Sequence, residues 1–438
     1  MEIKRFEYLV VLFCCFISPL TFAAAYDLLD PHGRIDIKWD VMSWTPDGYV
    51  GVVTINNNQM YRQITRPGWT IGWTWAKKEV IWSMVGAQAT DQGDCSKFKG
   101  NIPHSCSRNP EIVDLPPGVP INQQFSYCCK DGELTSRGQD PTASVSSFQL
   151  SVGLSGTSNK TVRLPKNFYL LGPGPGYTCS DATIVPPSTF FSSGGRRKTY
   201  AMMSWTVTCS YSQTLASKYP KCCLSLSSFY NPMITPCPSC ACGCQNENNC
   251  IMNDPKFSSM AKSETPLSYN PPLLQCTSHM CPIRVHWHVK TNYRNHWRVK
   301  ITITNFNYQM NYTKWTLVVQ HPNLRNVTDV YRFIYKPLTL YESINDTGMF
   351  HGIKYYNDLL PEAGPHGNVQ SELIFQKDSN TFTLERGWVF PLQVYFNGDE
   401  CVMLPPDAYP FLPNIAHASP IASSTVPAVL LMILLVFW

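Results

Sequence analysis

Ile35-Asp36-Ile37-Lys38-Trp39-Asp40-Val41 leads through Thr45-Pro46-Asp47-Gly48 into Tyr49-Val50-Gly51-Val52-Val53-Thr54-Ile55, which reads as a strand, a turn and a returning strand. Side chains alternate across a strand, so Ile35, Ile37, Trp39 and Val41 share one face while Asp36, Lys38 and Asp40 share the other. One apolar and one polar face is the pattern of an antiparallel sheet laid on a core. The Pro-Asp-Gly segment supplies the turn chemistry between them. Short runs rich in Val, Ile, Thr, Trp and Tyr, separated by Pro, Gly and Asn, continue along the chain, and helical periodicity is scarce. The fold class is therefore all-β.

A second copy of this pattern lies far downstream. Ile35-x-Ile-x-Trp39-x-Val41 is echoed by Ile283-x-Val-x-Trp287-x-Val289, and Val53-Thr54-Ile55-x-Asn57 by Ile301-Thr302-Ile303-x-Asn305. Trp69-Thr70-Ile71 then meets Trp315-Thr316-Leu317. Three blocks in one order predict two related β-sandwich domains flanking a disulfide-rich, loop-rich middle region. The expected boundaries are 26–164 for the first sandwich, 165–244 for the Cys-rich middle, 245–272 for a polar linker and 273–405 for the second sandwich. The segment Gly172-Pro-Gly-Pro-Gly176 excludes regular helix or central strand locally.

Both ends carry processing signals. Lys4 and Arg5, an apolar run from Phe6 to Phe22 and Ala23-Ala24-Ala25 are expected to form a secretory signal peptide over 1–25. Val426 to Trp438 is apolar, shorter than the about 20 residues a spanning helix needs, and follows a spacer after Asn414-Ile415-Ala416. This fits a GPI-attachment signal, with Asn414 as the first expected attachment residue and Ala416, Ala418 and Ser419 as competitors, 406–414 as a stalk and 415–438 as the removed propeptide. The plasma membrane outer leaflet is then the predicted location, reached through the secretory pathway.

An oxidising compartment changes how the 18 cysteines read. With Cys14 and Cys15 in the leader, an even number remains for disulfides, and the adjacent pairs Cys128-Cys129 and Cys222-Cys223 are expected to send each member to a different partner. Cys237-x2-Cys240-x-Cys242-x-Cys244 reads as disulfides rather than a metal site in that compartment. His286-x-His288 puts two imidazoles on one strand face, and without an acidic ligand motif these read as structural; no metal or other cofactor is expected. Sequons at Asn159, Asn311, Asn326 and Asn345 mark expected N-glycosylated surface loops. A formal net charge of +5 on 438 residues, with no basic run longer than Arg196-Arg197-Lys198, gives no nucleic-acid footprint.

The aromatic stretch Gly68-Trp69-Thr70-Ile71-Gly72-Trp73-Thr74-Trp75 points to sugar binding, because flat rings lie well against the apolar faces of a glucan. Trp69 beside Ile71 reads as core. Trp44, Tyr49, Tyr61, Trp73 and Trp75, near turns or strand ends, are the expected carbohydrate-contacting rings. One ring burying about 100 Å² contributes about 2.5 kcal/mol, while micromolar affinity needs about 8 kcal/mol, so several must align. Two other classes compete. Asp40, Asp47, Glu79 and Asp94 could serve a glycan hydrolase or transferase, and exposed aromatics could equally serve a protein-binding adhesion module. No nucleophile elbow or His-Glu-x-x-His motif occurs, and no catalytic residue is assigned.

The run Gly48 to Asn57, followed by Gly68-Trp69-Thr70-Ile71-Gly72-Trp73, resembles bacterial family-2 cellulose-binding modules. Over nearly the whole mature chain the sequence is more similar to the plant COBRA-like family. The resemblance is carried by Tyr26-Asp27-x-Leu29-Asp30-Pro31, Lys38-Trp39-Asp40-Val41-Met42-Ser43-Trp44, Trp75-Ala76-Lys77-Lys78-Glu79-Val80-Ile81-Trp82 and Gln92-Gly93-Asp94-Cys95-Ser96-Lys97. It continues through Gly172-Pro-Gly-Pro-Gly-Tyr177-Thr-Cys179, Cys222-Cys223-Leu224-Ser225 and Gly398-Asp399-Glu400-Cys401. Leu224 stands where the family signature has Val, and Ser105 precedes Cys106 where relatives often have a second cysteine. The resemblance implies a non-enzymatic, GPI-anchored extracellular protein that binds cellulose or another β-glucan. It further implies support of cellulose microfibril deposition and oriented cell expansion.

Overall fold

The computed structural model describes residues 27, 29–155, 162–174, 176–191, 198–216, 220–228, 239–240, 274, 276–277, 280–338, 346–377, 389–405 and 409. The leader, the residues around Asn159 and Asn345, the whole 245–272 linker, most of the Cys237–Cys244 cluster and Asn414 lie outside them.

The opening hairpin forms as its alternation predicts. Arg34–Trp44 pairs antiparallel with Tyr49–Asn57, with Trp39 opposite Val53, and Ile35, Ile37, Trp39 and Val41 are buried. The first large sheet runs in the order Thr183–Val185, Met203–Tyr211, Arg34–Trp44, Tyr49–Asn57, Val145–Gly153, Val80–Val85. A four-stranded sheet of Ala87–Ala89, Glu111–Asp114, Thr70–Thr74 and Lys166–Leu171 closes the sandwich. Between them lies a tryptophan core: Trp39 meets Trp73 edge-on at 5.0 Å and stacks on Trp205 at 5.3 Å, while Trp73 meets Trp75 edge-on at 5.3 Å. Edge-on and offset pairs suit the ring quadrupoles and add about 0.5–1.5 kcal/mol each beyond burial.

The second sandwich repeats the hairpin in detail. Ile283–Asn292 pairs with His296–Asn305, with Trp287 opposite Ile301, and a bulge follows Val289 as one follows Val41. Asn57 and Asn305 close their hairpins in the same way. Each side-chain amide donates to the carbonyl five residues on, of Arg62 and Met310 respectively, and each Oδ1 accepts from the backbone N–H two residues on. Trp315, the counterpart of Trp69, is likewise in the core. The internal duplication is therefore present in backbone and capping as well as in spelling.

The strands of the expected middle region join the two sandwiches instead of standing apart. Lys166–Leu171, Tyr177–Cys179, Thr183–Val185 and Met203–Tyr211 complete the first sandwich, where Cys179–Cys209 ties two neighbouring strands. Cys222–Ser228 adds in parallel to Ile283–Asn292, and Cys222–Cys401 pins it to the facing side of the second. The described boundary thus falls between 216 and 220, not at 164 and 272. The reason is that Met203–Tyr211 alternates like a core strand, with Trp205, Val207 and Cys209 inward. A second correction concerns Cys128 and Cys129, which bond to each other. Cys222 and Cys223 do go to different partners, since Cys222 takes Cys401 and Cys223 is also disulfide-bonded.

The sandwiches are docked through Arg62. Its side chain, only 5% exposed, pairs with Asp27 at 3.1 Å, pairs with Asp399 of the second sandwich and donates to the Gly398 carbonyl. Its guanidinium carbon lies 3.4 Å from the centroid of Tyr211, whose hydroxyl donates to Asp399. Lys221 also meets Asp399 at 3.0 Å. Burial alone would raise the Asp399 carboxyl, but Lys221 and Arg62 hold it down at about 2. Around this joint Leu29 and Tyr61 pack on Val318, Leu338, Met349 and Tyr395.

Removing one member of a buried ion cluster strands the others. Arg62→Ala is expected to destabilise the ectodomain by about 3–5 kcal/mol, read as a lowered denaturant midpoint. Acid sensitivity has a separate source in His321, fully buried and stacked on Trp287, whose pKa burial pushes down to about 3. The unfolded chain then binds the proton more readily between about 3 and 6.5, so this contribution is full above pH 6.5 and is lost as pH falls toward 3. Lowering pH from 7 to 5 is expected to cost at most about 2 kcal/mol through this residue. His321→Gln should flatten that part of the stability profile in chemical denaturation.

Candidate carbohydrate-binding surface

Three of the five expected sugar-contacting rings are core. Tyr49 is fully buried, Trp73 is 1% exposed and Trp75 is 2% exposed. The physical reason is the shared face: Trp69, Ile71, Trp73 and Trp75 point the same way, and the whole row turns inward. Trp75, although past the strand end, is held by ring contacts to Trp39 and Trp73 and by its backbone N–H donating to the Arg108 carbonyl. Tyr49 leads the strand Tyr49–Asn57, whose alternate positions all face the core, and its ring packs edge-on against Trp205. Tyr61 is spent on the docking joint. Trp44 is half-buried beside Tyr49 at the hairpin end. Trp69 is core, as read from the sequence.

On the outer face of the first large sheet lies the half-buried ring of Trp82. A bulge between Ile81 and Ser83 leaves Trp82 unpaired on the strand Val80–Val85, and its indole lies against Gly153 on the outside of the sheet. A Cβ at Gly153 would come within 2.0 Å of Nε1 and 2.7 Å of Cδ1, so only glycine lets the ring settle on the backbone. Phe98 meets the indole edge-on at 5.4 Å. It is carried by a loop that Cys95–Cys106 closes and that Ser105 bonds to Ile81 in both directions.

At the other end of the same strand sits a second aromatic loop. Phe125 lies over Gly86, Ser147 Oγ donates to the Ser126 carbonyl, and the Tyr127 ring is 60% exposed. Asp114 fixes this loop, its carboxylate accepting from the N–H groups of Leu115, Cys129, Lys130 and Gly132 at 2.9–3.0 Å. Trp82 and Gly86 are separated by about 13 Å of extended chain. Between the two aromatic ends the outward positions carry Ser83, Val85, Gln149 and Ser151, with Ser83 opposite Ser151 and Val85 opposite Gln149. The result is a strip with rings at both ends and three hydrogen-bonding side chains and one valine between them, a surface that an extended neutral sugar chain could follow.

Sequence reading passed over Trp82 because the tryptophan row at 69–75 is denser. The signal was the alternation Val80-Ile81-Trp82-Ser83, which sends Trp82 opposite to buried Ile81. The carboxylates considered for catalysis are each held locally. Asp40 accepts from Ser204, Glu79 from the Lys77 N–H, Asp47 from the Leu154 N–H and Asp94 from the Ser96 N–H. Of the expected glycosylation sites within the described residues, Asn311 and Asn326 are exposed. Among the described residues no group of three or more His, Cys, Asp or Glu is placed to hold a metal ion.

Two docked, disulfide-bonded β-sandwiches with a duplicated hairpin define the class of the molecule. The COBRA N-terminal domain matches residues 49–212 and the COBRA family C-terminal domain matches 221–410, a division that falls at the observed break between the sandwiches. COBRA-like protein 4 of Arabidopsis thaliana is 64% identical over 427 residues, covering 97% of this chain and 99% of the relative. COBRA-like protein 5 of Oryza sativa subsp. japonica is 60% identical over 470 residues, covering both chains fully (100% of each). Protein COBRA of Arabidopsis thaliana is 61% identical over 429 residues, covering 96% of this chain and 93% of the relative. The chain belongs to the COBRA family.

The core and surface assignments separate cleanly by mutation. Trp73→Ala is expected to cost about 3–5 kcal/mol of stability through the cavity it leaves. Trp82→Ala should cost about 1 kcal/mol, the ordinary range for a half-buried site. Thermal or urea unfolding of the two variants checks this.

Proposed function

We propose that this COBRA-family chain is a non-enzymatic cell-wall protein whose first sandwich binds β-1,4-glucan along the strip from Trp82 to Tyr127. In that role it supports cellulose microfibril deposition and oriented expansion. Family membership supports the wall-related role. The single observation that carries the glucan reading is the Trp82 indole laid on Gly153 at the outside of a polar sheet face. A ring held flat by the backbone is already ordered, so stacking on a sugar loses little side-chain entropy. The second aromatic end supplies the further contact area that one ring lacks.

Anchoring follows the sequence signals. Asn414 is the proposed attachment residue and a GPI lipid the proposed link to the outer leaflet of the plasma membrane. Among the described residues no helix is long and apolar enough to cross a membrane. Release by phosphatidylinositol-specific phospholipase, with loss of the 415–438 tail from the mature chain, is the expected outcome. A tail that persists on phospholipase-resistant protein would refute the anchor.

Retention of the secreted, oxidised ectodomain on crystalline cellulose tests the glucan reading. Trp82→Ala and Tyr127→Ala are each expected to weaken retention about tenfold, a loss of about 1.4 kcal/mol, while Trp44→Ala has little effect. No retention of the unmodified protein would sink the proposal. Release of new reducing ends from glucan would favour an enzyme instead.

A further inference from the structure

The outward face of the larger sheet in the second sandwich carries a different chemistry. Register brings Ser227, His288, Lys300, Glu372 and Tyr331 into one row across five strands, with Ser225, His286, Thr302 and Gln370 in the row beside it. At about 4.8 Å between strands the longer row spans about 19 Å. The imidazoles are oriented by serines. Ser225 Oγ is 2.8 Å from His286 Nδ1, and Ser227 Oγ is 2.9 Å from His286 Nε2 and 2.7 Å from His288 Nδ1. The rings lie nearly parallel at 6.2 Å.

Positive charge on this face exceeds what its own acids balance. Glu372 accepts from Lys290 at 2.6 Å and from Arg298 Nε at 2.9 Å, so one carboxylate already serves two cations. Lys300 and Arg332 form no ion pair among the described residues. Arg284 stands on the strand bearing the histidines, and among the described residues of these five strands the other acid is Asp329 on the far strand. Burial, then Arg284, His288 and Lys300, push the His286 pKa down to about 4, and burial with Lys300 and Lys290 lowers His288. Both imidazoles are thus hydrogen-bonding groups in a positive field. Arg298, Lys300, Tyr331, Arg332, Gln370 and Glu372 line a concavity of about 330 Å³, and the Tyr331 ring is 48% exposed.

We propose that this face is a second glycan site, selective for a polyuronate, a chain of carboxylate-bearing sugars. Three features of such a chain meet three features of the face. Carboxylates meet Lys300 and Arg332. Ring hydroxyls meet Gln370, Thr302 and the serine-held imidazoles, and an apolar ring face meets Tyr331. A neutral glucan would leave the cations without purpose. Exposed ion pairs are individually weak and screened by salt, so affinity comes from repetition along the polymer. The site does not depend on the Trp82 strip of the first sandwich.

The test uses the secreted ectodomain with de-esterified polygalacturonate, methyl-esterified polygalacturonate and dextran sulfate in affinity electrophoresis. Binding to the de-esterified polymer is expected, weakening at least about tenfold when salt is raised to about 1 M. Methyl esterification should abolish it, and dextran sulfate should bind less tightly than polygalacturonate. Lys300→Glu combined with Arg332→Glu should lower affinity about tenfold or more, Tyr331→Ala several-fold, and Lys300→Arg little. Retention on crystalline cellulose should be unchanged in all of them, which separates this site from the first. In the unmodified protein the NMR titration midpoint of His286 should rise when polygalacturonate is added, a readout independent of whether the charge-reversed variant folds. Equal binding of esterified and free polymer, tighter binding of dextran sulfate, or an unmoved His286 midpoint overturns the proposal.

Discussion

A guanidinium removed from water is costly unless its charge and all its donors are met. Arg62 finds two carboxylates for its charge and partners for both terminal nitrogens only where the two sandwiches touch, although its Nε has no partner among the described residues. Asp27 comes from the N-terminal segment, Asp399 and the Gly398 carbonyl from a turn of the second sandwich, and the Tyr211 ring from the last strand of the first. Each sandwich alone would leave part of this cluster unpaired. The joint therefore ties the position of one domain to the other, and it sets where the two outward sheet faces lie.

The duplicated hairpin explains how one fold carries two faces of opposite character. Trp39 and Trp287, Asn57 and Asn305 and the paired bulges are fixed by core packing and hairpin closure. The outward positions are free of those constraints. In the first sandwich they carry Trp82, Ser83, Gln149 and Ser151; in the second they carry serines, histidines, Lys300 and Glu372. Neutral aromatic and cationic polar surfaces are thus two decorations of one scaffold. A chain with both surfaces could engage two chemically distinct polymers.

Much of this was legible in the residues. Alternation gave the strands, and the spaced Trp and Asn matches gave the duplication. The limits were equally physical. Period-two patterning says that Trp69, Trp73 and Trp75 share a face, but which face meets the core depends on the opposing sheet, and it was the whole row that turned in. Trp82 is outward because Gly153, distant in sequence, makes room for it. Cys222–Ser228 joins its sheet in parallel, a non-local pairing with no hairpin signal. Arg62 looks like an ordinary loop arginine until Asp399 arrives from the far end of the chain. The bond between Cys128 and Cys129 fits the loop that Asp114 folds tightly, and spacing alone favoured separate partners.

The Arg62 joint is expected to make the two sandwiches one cooperative unit. Differential scanning calorimetry of the oxidised ectodomain tests it most directly, because independent domains unfold as separate transitions while coupled ones share a single transition. The expected result is one transition whose calorimetric and van't Hoff enthalpies agree for the whole chain. Two resolved transitions, each with the enthalpy of a single sandwich, would contradict it.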